Sequence, residues 1–215
     1  MKKFVINLKR RPDRLEKFFT RCPYPKDSIE VIQAFDGKSI NDETKKERKL
    51  VHKFKAGLPM GAVGCFISHL RIWKKMVNDN IPVAMIFEDD AQFNENFYDF
   101  MESMEIPEKV NLLYFGGRFS KNVTIPDYAM ESINNKVYRH ITEPWDMRLH
   151  ERTTHGYILT SKLAKFLINA FDIYDENVQA VDYFMVHTLK NLNIAYHSTY
   201  PLVCWSPMVG DSDIR

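Results

Sequence analysis

Three consecutive carboxylates, Glu88-Asp89-Asp90, follow directly on the apolar run Pro82 to Phe87. A run of that length and character predicts a central strand covered on both faces. Carboxylates at its end are costly if buried without partners, and open α/β sheets collect ligands at that carboxyl edge. In a strand continuing through this point, Glu88 and Asp90 face one way and Asp89 the other. A Glu88–Asp90 pair turned into a cleft suits a hard divalent cation, Mn²⁺ or Mg²⁺, which prefers oxygen ligands. Such a cation would in turn hold a diphosphate. The competing account is an acidic surface turn.

Other candidates are weaker one by one. Gly57, Gly61 and Gly64 match neither the dinucleotide fingerprint nor the P-loop. They do place small residues before a helix N-terminus, where free N–H groups could meet an anion, and tight helix packing accounts for them equally well. Gly116-Gly117-Arg118 ends a strand at the same edge, either for close approach to a ligand or as a simple turn. His69 lies on the nearly apolar side of its helix, as a core histidine or a ligand-binding one. Asp182 opens a helix, as a dipole partner or as a general base. His155, His187 and His197 are too widely spread to form a metal motif, and the sequence does not choose which of them would complete a metal shell. Gly-x-Ser-x-Gly is absent and Cys65 has no evident partner base, so covalent hydrolase chemistry has little support.

The elements that must position these residues read as an α/β chain. Phe4–Leu8 predicts a short buried strand. Pro12 then suits the first turn of a helix running from Asp13 to about Arg21, and Ile29–Phe35 a second strand. Residues 41–55 hold six Lys or Arg and three Asp or Glu with no clear period, which predicts an exposed or mobile basic excursion with a solvated face. The longest helical pattern is Ala62–Asn78, apolar over a wide face. Strands follow at Pro82–Phe87, Asn111–Phe115, Val137–Ile141 and His155–Thr160, with loop and an edge hairpin over 120–136. A helix Ser161–Phe171 with Ser at its cap, a helix Val181–Leu192 and a late strand Ile194–His197 complete the pattern. The fold class is α/β, read as one domain over 1–215.

Composition narrows the function. At 215 residues, 45% hydrophobic and 27% charged, the chain is a folded protein rather than a disordered one. A net charge of +2 gives no basic excess, which argues against a nucleic-acid binder. Cys22, Cys65 and Cys204 show no paired spacing, so a reducing, cytoplasmic setting is expected. No stretch reaches membrane-spanning length, although peripheral membrane contact stays open.

In order along the chain stand Val5-Ile6-Asn7-Leu8, Arg10-Arg11-Pro12-Asp13-Arg14, Gly61-Ala62-Val63-Gly64-Cys65-Phe66-Ile67-Ser68-His69 and Phe87-Glu88-Asp89-Asp90-Ala91. Tyr114-Phe115-Gly116-Gly117, Gly156-Tyr157-Ile158-Leu159-Thr160, Val181-Asp182-Tyr183-Phe184 and Ser212-Asp213-Ile214 follow. This ordered set resembles the glycosyltransferase family of bacterial lipooligosaccharide galactosyltransferases and procollagen galactosyltransferases. The resemblance implies a single-domain type A nucleotide-sugar transferase fold, a Rossmann-like mixed sheet with flanking helices. It implies metal-dependent transfer of galactose or glucose from a UDP-sugar, with inversion, to a hydroxyl of a glycan or of hydroxylysine in a collagen-like protein. Carried over by position, Asn7, Leu8, Arg10 and Arg14 line the uridine and diphosphate pocket. Gly61, Gly64, His69, Glu88, Asp89 and Gly117 border the donor. Glu88 and Asp90 hold Mn²⁺ or Mg²⁺, and Asp182 is the base. Val203-Cys204-Trp205-Ser206 offers no metal-binding His, so the third ligand is not placed. Two other classes compete: a catalytically silent nucleotide- or sugar-binding protein on this fold, and a metal-dependent nucleotide-sugar hydrolase.

Overall fold

The computed structural model describes residues 1–38, 49–116, 130–140, 153–174, 176–199 and 203–206. Gly117, Arg118, most of the basic stretch 41–55 and the terminal 212–214 motif lie outside these residues. The described elements are β1 (Lys2–Asn7), α1 (Pro12–Arg21), β2 (Ile29–Gln33), α2 (Met60–Asn78), β3 (Val83–Glu88), β4 (Gln92–Phe93) and α3 (Phe97–Glu102). After them come β5 (Leu112–Tyr114), β6 (Met130–Ser132), β7 (Val137–His140), β8 (Gly156–Thr160), α4 (Ser161–Ile173), α5 (Val181–Asn191), β9 (His197–Thr199) and β10 (Cys204–Trp205).

Eight strands form one mixed sheet in the order β2-β1-β3-β8-β5-β9-β7-β6, and β4 pairs with β10 beside it. β1 runs parallel to both β2 and β3, so the chain reverses direction across the sheet at β1. That reversal is a topological switch point, where a crevice opens at the carboxyl ends of the strands. β3 is parallel to β1 but antiparallel to β8. The central strand is therefore flanked by both orientations, not by parallel partners alone. β8 is interposed between β3 and β5, and its first residues lie at the end of β3, with Gly156 opposite Phe87.

Period-2 alternation sorts the strand side chains between two cores. Phe4, Ile6, Ala84, Ile86, Leu112, Tyr114, Tyr157 and Leu159 pack under α2, α4 and α5. Val5, Met85, Phe87, Leu113 and Ile158 pack on the other face with Phe18 of α1 and Phe97 and Met101 of α3. Helices on both faces explain why β3 reads as an unbroken apolar run.

Helix ends follow local chemistry. Pro12 stands at the start of α1. α2 and α5 each end in a Schellman closure around an Asn in the left-handed region, Asn80 (φ 54°) and Asn193 (φ 53°). Ile81 N–H donates to the Met76 carbonyl, and Ile194 N–H donates to that of Leu189. This closure displaces the last strand, expected over Ile194–His197, to His197–Thr199, because the amides of 193 and 194 are spent on the helix end. The cap of α4 is Thr160, whose hydroxyl accepts from Leu163 N–H, rather than Ser161. Around Phe54 the stretch is docked, while the Lys55 side chain stays exposed. Phe54 is buried and bridges Val178, and the Lys53 ammonium donates to the carbonyls of Phe171, Asp172 and Tyr174 at the end of α4.

His197 sits in β9 at 2% exposure, and burial, with Lys109 and Arg139 adding to it, lowers its pKa to about 4. Below its unfolded pKa the unfolded chain therefore binds a proton that the native chain refuses. The His197 contribution to stability should fall as pH drops from about 6.5 to about 4, by on the order of 3 kcal/mol, while Asp89, whose carboxyl is pushed up to about 6, works in the opposite sense over the same window. Urea melts at stepped pH should show the His197 contribution removed in a His197→Gln variant.

Candidate functional site

The carboxyl ends of β1 and β3 border an open cleft of about 580 Å³. Ile6, Asn7, Leu8, Arg10 and Arg14 form one wall, and Ala34 to Gly37 a second. Gly61, Cys65 and Ser68 of α2 and the three carboxylates complete it. The segment Asn7–Arg14 reaches the cleft because Leu8 leaves β1 in a turn closed by Arg11 N–H on the Leu8 carbonyl, which starts α1 beside the cleft.

Each carboxylate has its own set of partners. Asp89 accepts from the Asn7 side-chain amide at 2.7 Å and is ion-paired to Arg14. Arg14 also reaches Asp90 at 3.4 Å. Burial still dominates at Asp89 and pushes its carboxyl up to about 6 against Arg14 and Asn7. Glu88 Oε1 accepts from Thr154 Oγ1 and lies 3.3 Å from His69 Nε2, while Oε2 lies 3.7 Å from His155 Nδ1. Burial works against charge on Glu88, but His69, His155 and Thr154 hold its carboxyl below the usual range. Asp90 meets His155 Nδ1 at 3.2 Å and accepts from Ser206 Oγ at 3.3 Å.

The end of β3 thus separates the triplet. Asp89 is tied back to β1 and α1, while Glu88 and Asp90 converge on His155. One ligand atom from each of Glu88, Asp90 and His155 falls within 4.8 Å of the others, and Cys65, His69 and Glu88 make a second such cluster. Burial disfavours charge on His155, yet Asp90 and Glu88 raise its pKa to about 9. The surroundings therefore demand positive charge at the point where the three groups meet. Two carboxylates and an imidazole form a donor set that fits Mn²⁺ and tolerates Mg²⁺.

The remaining candidates divide between cleft and core. Gly61 lines the cleft. Gly64 does not; a Cβ there would lie 2.7 Å from the Phe35 carbonyl oxygen, so its small size lets α2 press on the loop that carries Asp36. The amides of Ala62 and Val63 are taken by the Pro59 carbonyl. Gly116 makes a close approach to chain, since a Cβ there would overlap the backbone of Cys204. Arg10 pairs with Asp36 at 2.6 Å. His69 is fully buried behind Glu88. Asp182 is half-buried in the first turn of α5, and its charge helps raise the pKa values of Cys65 and His155, in each case as a smaller influence than burial.

Of the three scattered histidines, His155 joins the carboxylates. His187 stacks on Tyr183 and His197 is a sheet residue. Thr154 and Ser206 also belong to the site, and neither carries a motif that would have flagged it. The available signal was indirect, in that His155 opens a strand expected over His155–Thr160 in the same sheet, and the observed strand begins one residue later, at Gly156.

A family description, glycosyltransferase family 25 (LPS biosynthesis protein), matches residues 1–185. Procollagen galactosyltransferase 2 of Homo sapiens is 27% identical over 180 residues, 78% of this chain and 27% of that protein. A glycosyltransferase 25 family member of Drosophila pseudoobscura pseudoobscura is 29% identical over 196 residues, 85% of this chain and 29% of its own. A probable inactive family member 3 of Bos taurus is 36% identical over 128 residues, 53% of this chain and 21% of that one. The chain spans about a quarter of the length of the curated relatives it matches.

Arg14 and Asp89 are both nearly buried, at 12% and 9% side-chain exposure. Removing one partner of such a pair strands the other charge. Arg14→Leu should destabilise the protein by about 3–5 kcal/mol in urea unfolding. Adding Asp89→Asn should recover most of that loss, a coupling that the double-mutant cycle measures directly.

Proposed function

Because the chain belongs to glycosyltransferase family 25, we propose that it transfers a hexose, galactose or glucose, from a UDP-sugar to an acceptor hydroxyl. The observation that carries this reading is the convergence of Glu88, Asp90 and His155 beside a cleft walled by Asn7, Leu8, Arg10 and Arg14. Glu88, Asp90 and His155 would hold Mn²⁺ or Mg²⁺, which supplies charge neutralisation for the diphosphate and stabilises UDP as it leaves.

The chain's own residues do the rest. Leu8, Ile6 and Phe35 give the cleft an apolar wall for a flat base, and Asn7 and Asp36 bring polar groups beside it. Arg10 and Arg14 bring guanidinium groups to the side where a diphosphate would lie, each already held by a carboxylate. Such anchoring fixes their direction before a donor arrives, which lowers the ordering cost of binding. Asp182 would take the proton from the acceptor hydroxyl as that oxygen attacks the anomeric carbon. Attack from the face opposite the departing UDP inverts the anomeric centre.

The acceptor is a glycan or a collagen-like chain, classes suggested by the family description and by the relatives' names, and in the second case the hydroxyl would be that of hydroxylysine. The free thiols Cys22, Cys65 and Cys204 fit a reducing compartment such as the cytoplasm. Among the described residues no helix is long and apolar enough to cross a membrane, and a glycan acceptor on lipid would call for contact at the membrane surface. A second reading, a silent nucleotide-sugar binder, draws support from the likeness to the probable inactive bovine member.

Calorimetric titration of UDP should show binding that strengthens with Mn²⁺. Asp90→Ala and His155→Ala should each remove that metal-dependent gain, weakening binding by about 10-fold or more. Asp182→Asn should keep UDP and Mn²⁺ binding and lose about 10²–10⁴-fold in transfer from UDP-galactose or UDP-glucose. Binding indifferent to Mn²⁺ and to both substitutions would sink the assignment. Metal-dependent binding with no turnover by the unaltered protein would favour the silent reading.

A further inference from the structure

Behind Glu88 lies a line of buried polar groups that the proposed reaction does not use. Trp73 Nε1 is 3.2 Å from Tyr157 Oη, Tyr157 Oη is 2.7 Å from His69 Nδ1, and His69 Nε2 is 3.3 Å from Glu88 Oε1. Trp73, Tyr157 and His69 are all at 0% exposure, so every proton in the line must find a partner within it.

The protons can be placed by counting. An indole N–H only donates, so the phenol oxygen accepts from Trp73. The phenol carries one proton of its own, and the His69 ring is the acceptor within reach. Nδ1 is then the bare nitrogen, and the ring proton sits on Nε2, donated to Glu88 Oε1. The opposite tautomer strands the phenol proton and sets a nitrogen lone pair against a carboxylate oxygen. A doubly protonated ring serves Glu88 but again leaves the Tyr157 O–H without an acceptor.

We infer that Trp73, Tyr157 and His69 form a one-way hydrogen-bond relay that fixes the orientation of Glu88, so that Oε1 is reserved for the protein and Oε2 for a cation. Thr154 donates to the same Oε1, and Oε2 faces His155. The inference rests on the reading of Glu88 as a cation ligand. It also decides between the two candidate clusters. With its proton on Nε2, His69 has no lone pair to give toward Cys65 and Glu88, so that cluster is a support and not a second cation seat. His69, Tyr157 and Trp73 are positioning residues, and metal ligands depend on such outer partners for about 10–100-fold in affinity.

The test measures Mn²⁺ affinity by electron paramagnetic resonance on the protein without donor, together with the ¹⁵N spectrum of the His69 ring in the metal-free protein. The spectrum should show the Nε2–H tautomer. Tyr157→Phe keeps the ring and its packing and should weaken Mn²⁺ binding about 10-fold or more. His69→Leu should do the same. His69→Gln offers an amide N–H to Glu88 and a carbonyl to Tyr157, so it should restore affinity to within about threefold of the original. An Nδ1–H tautomer overturns the relay, as does Tyr157→Phe protein that binds Mn²⁺ at full strength while Asp90→Ala does not. That second pattern leaves the cation assignment standing, whereas absence of Mn²⁺ binding by the unaltered protein removes both.

Discussion

Three adjacent carboxylates at the end of one strand, two of them buried and the third partly so, set the terms for this fold. Glu88 and Asp89 are 8% and 7% exposed, and each buried charge costs several kcal/mol unless paired and hydrogen-bonded. No single neighbouring element can supply that many donors. The partners instead come from β1 and α1 (Asn7, Arg14), from α2 (His69), from the approach to β8 (Thr154, His155) and from beyond β10 (Ser206). The acidic triplet is therefore the point at which widely separated parts of the chain must agree.

Sheet topology makes the agreement possible. β1 and β3 run parallel, so their carboxyl ends open on the same side and Asn7 stands beside Glu88 and Asp89. β8 runs the other way, so the residues before it, not those after it, arrive at that edge. An all-parallel sheet would have brought the far end of β8 there instead. The mixed sheet thus places a histidine where a parallel one would place the start of a helix.

Much of this was legible in the sequence because the signals were local. The contrast between the Val83–Phe87 run and three carboxylates needs an eight-residue window, and the α2 stripe needs one helix. What stayed hidden depends on pairing at a distance. His155 reaches Asp90 across 65 residues and Tyr157 reaches His69 across 88, and periodicity carries no record of either. Gly116 shows the limit from another side. Its need for close approach could be read, but the object approached is the Cys204 backbone, 88 residues on, and not a ligand. Ser161 was misplaced as a cap by one residue because Thr and Ser stand side by side and both can cap; extended backbone at Thr160 decides between them. The docking of Phe54 was masked by the charges around it, since a basic run looks solvated whatever one apolar residue within it does.

The order of these contacts along the chain has a consequence for biosynthesis. A ribosome releases the Asn7 and Arg14 partners first, then His69, then the triplet itself, so once the triplet has emerged Asp89 can already be shielded. His155 follows some 65 residues later, and Ser206 some 116 residues after Asp90. At about 5–20 residues per second, the acidic edge spends several seconds neutralised by its early partners alone. The growing chain carries a half-built pocket through that interval, and the pocket meets His155 only when β8 turns back along β3, and Ser206 later still.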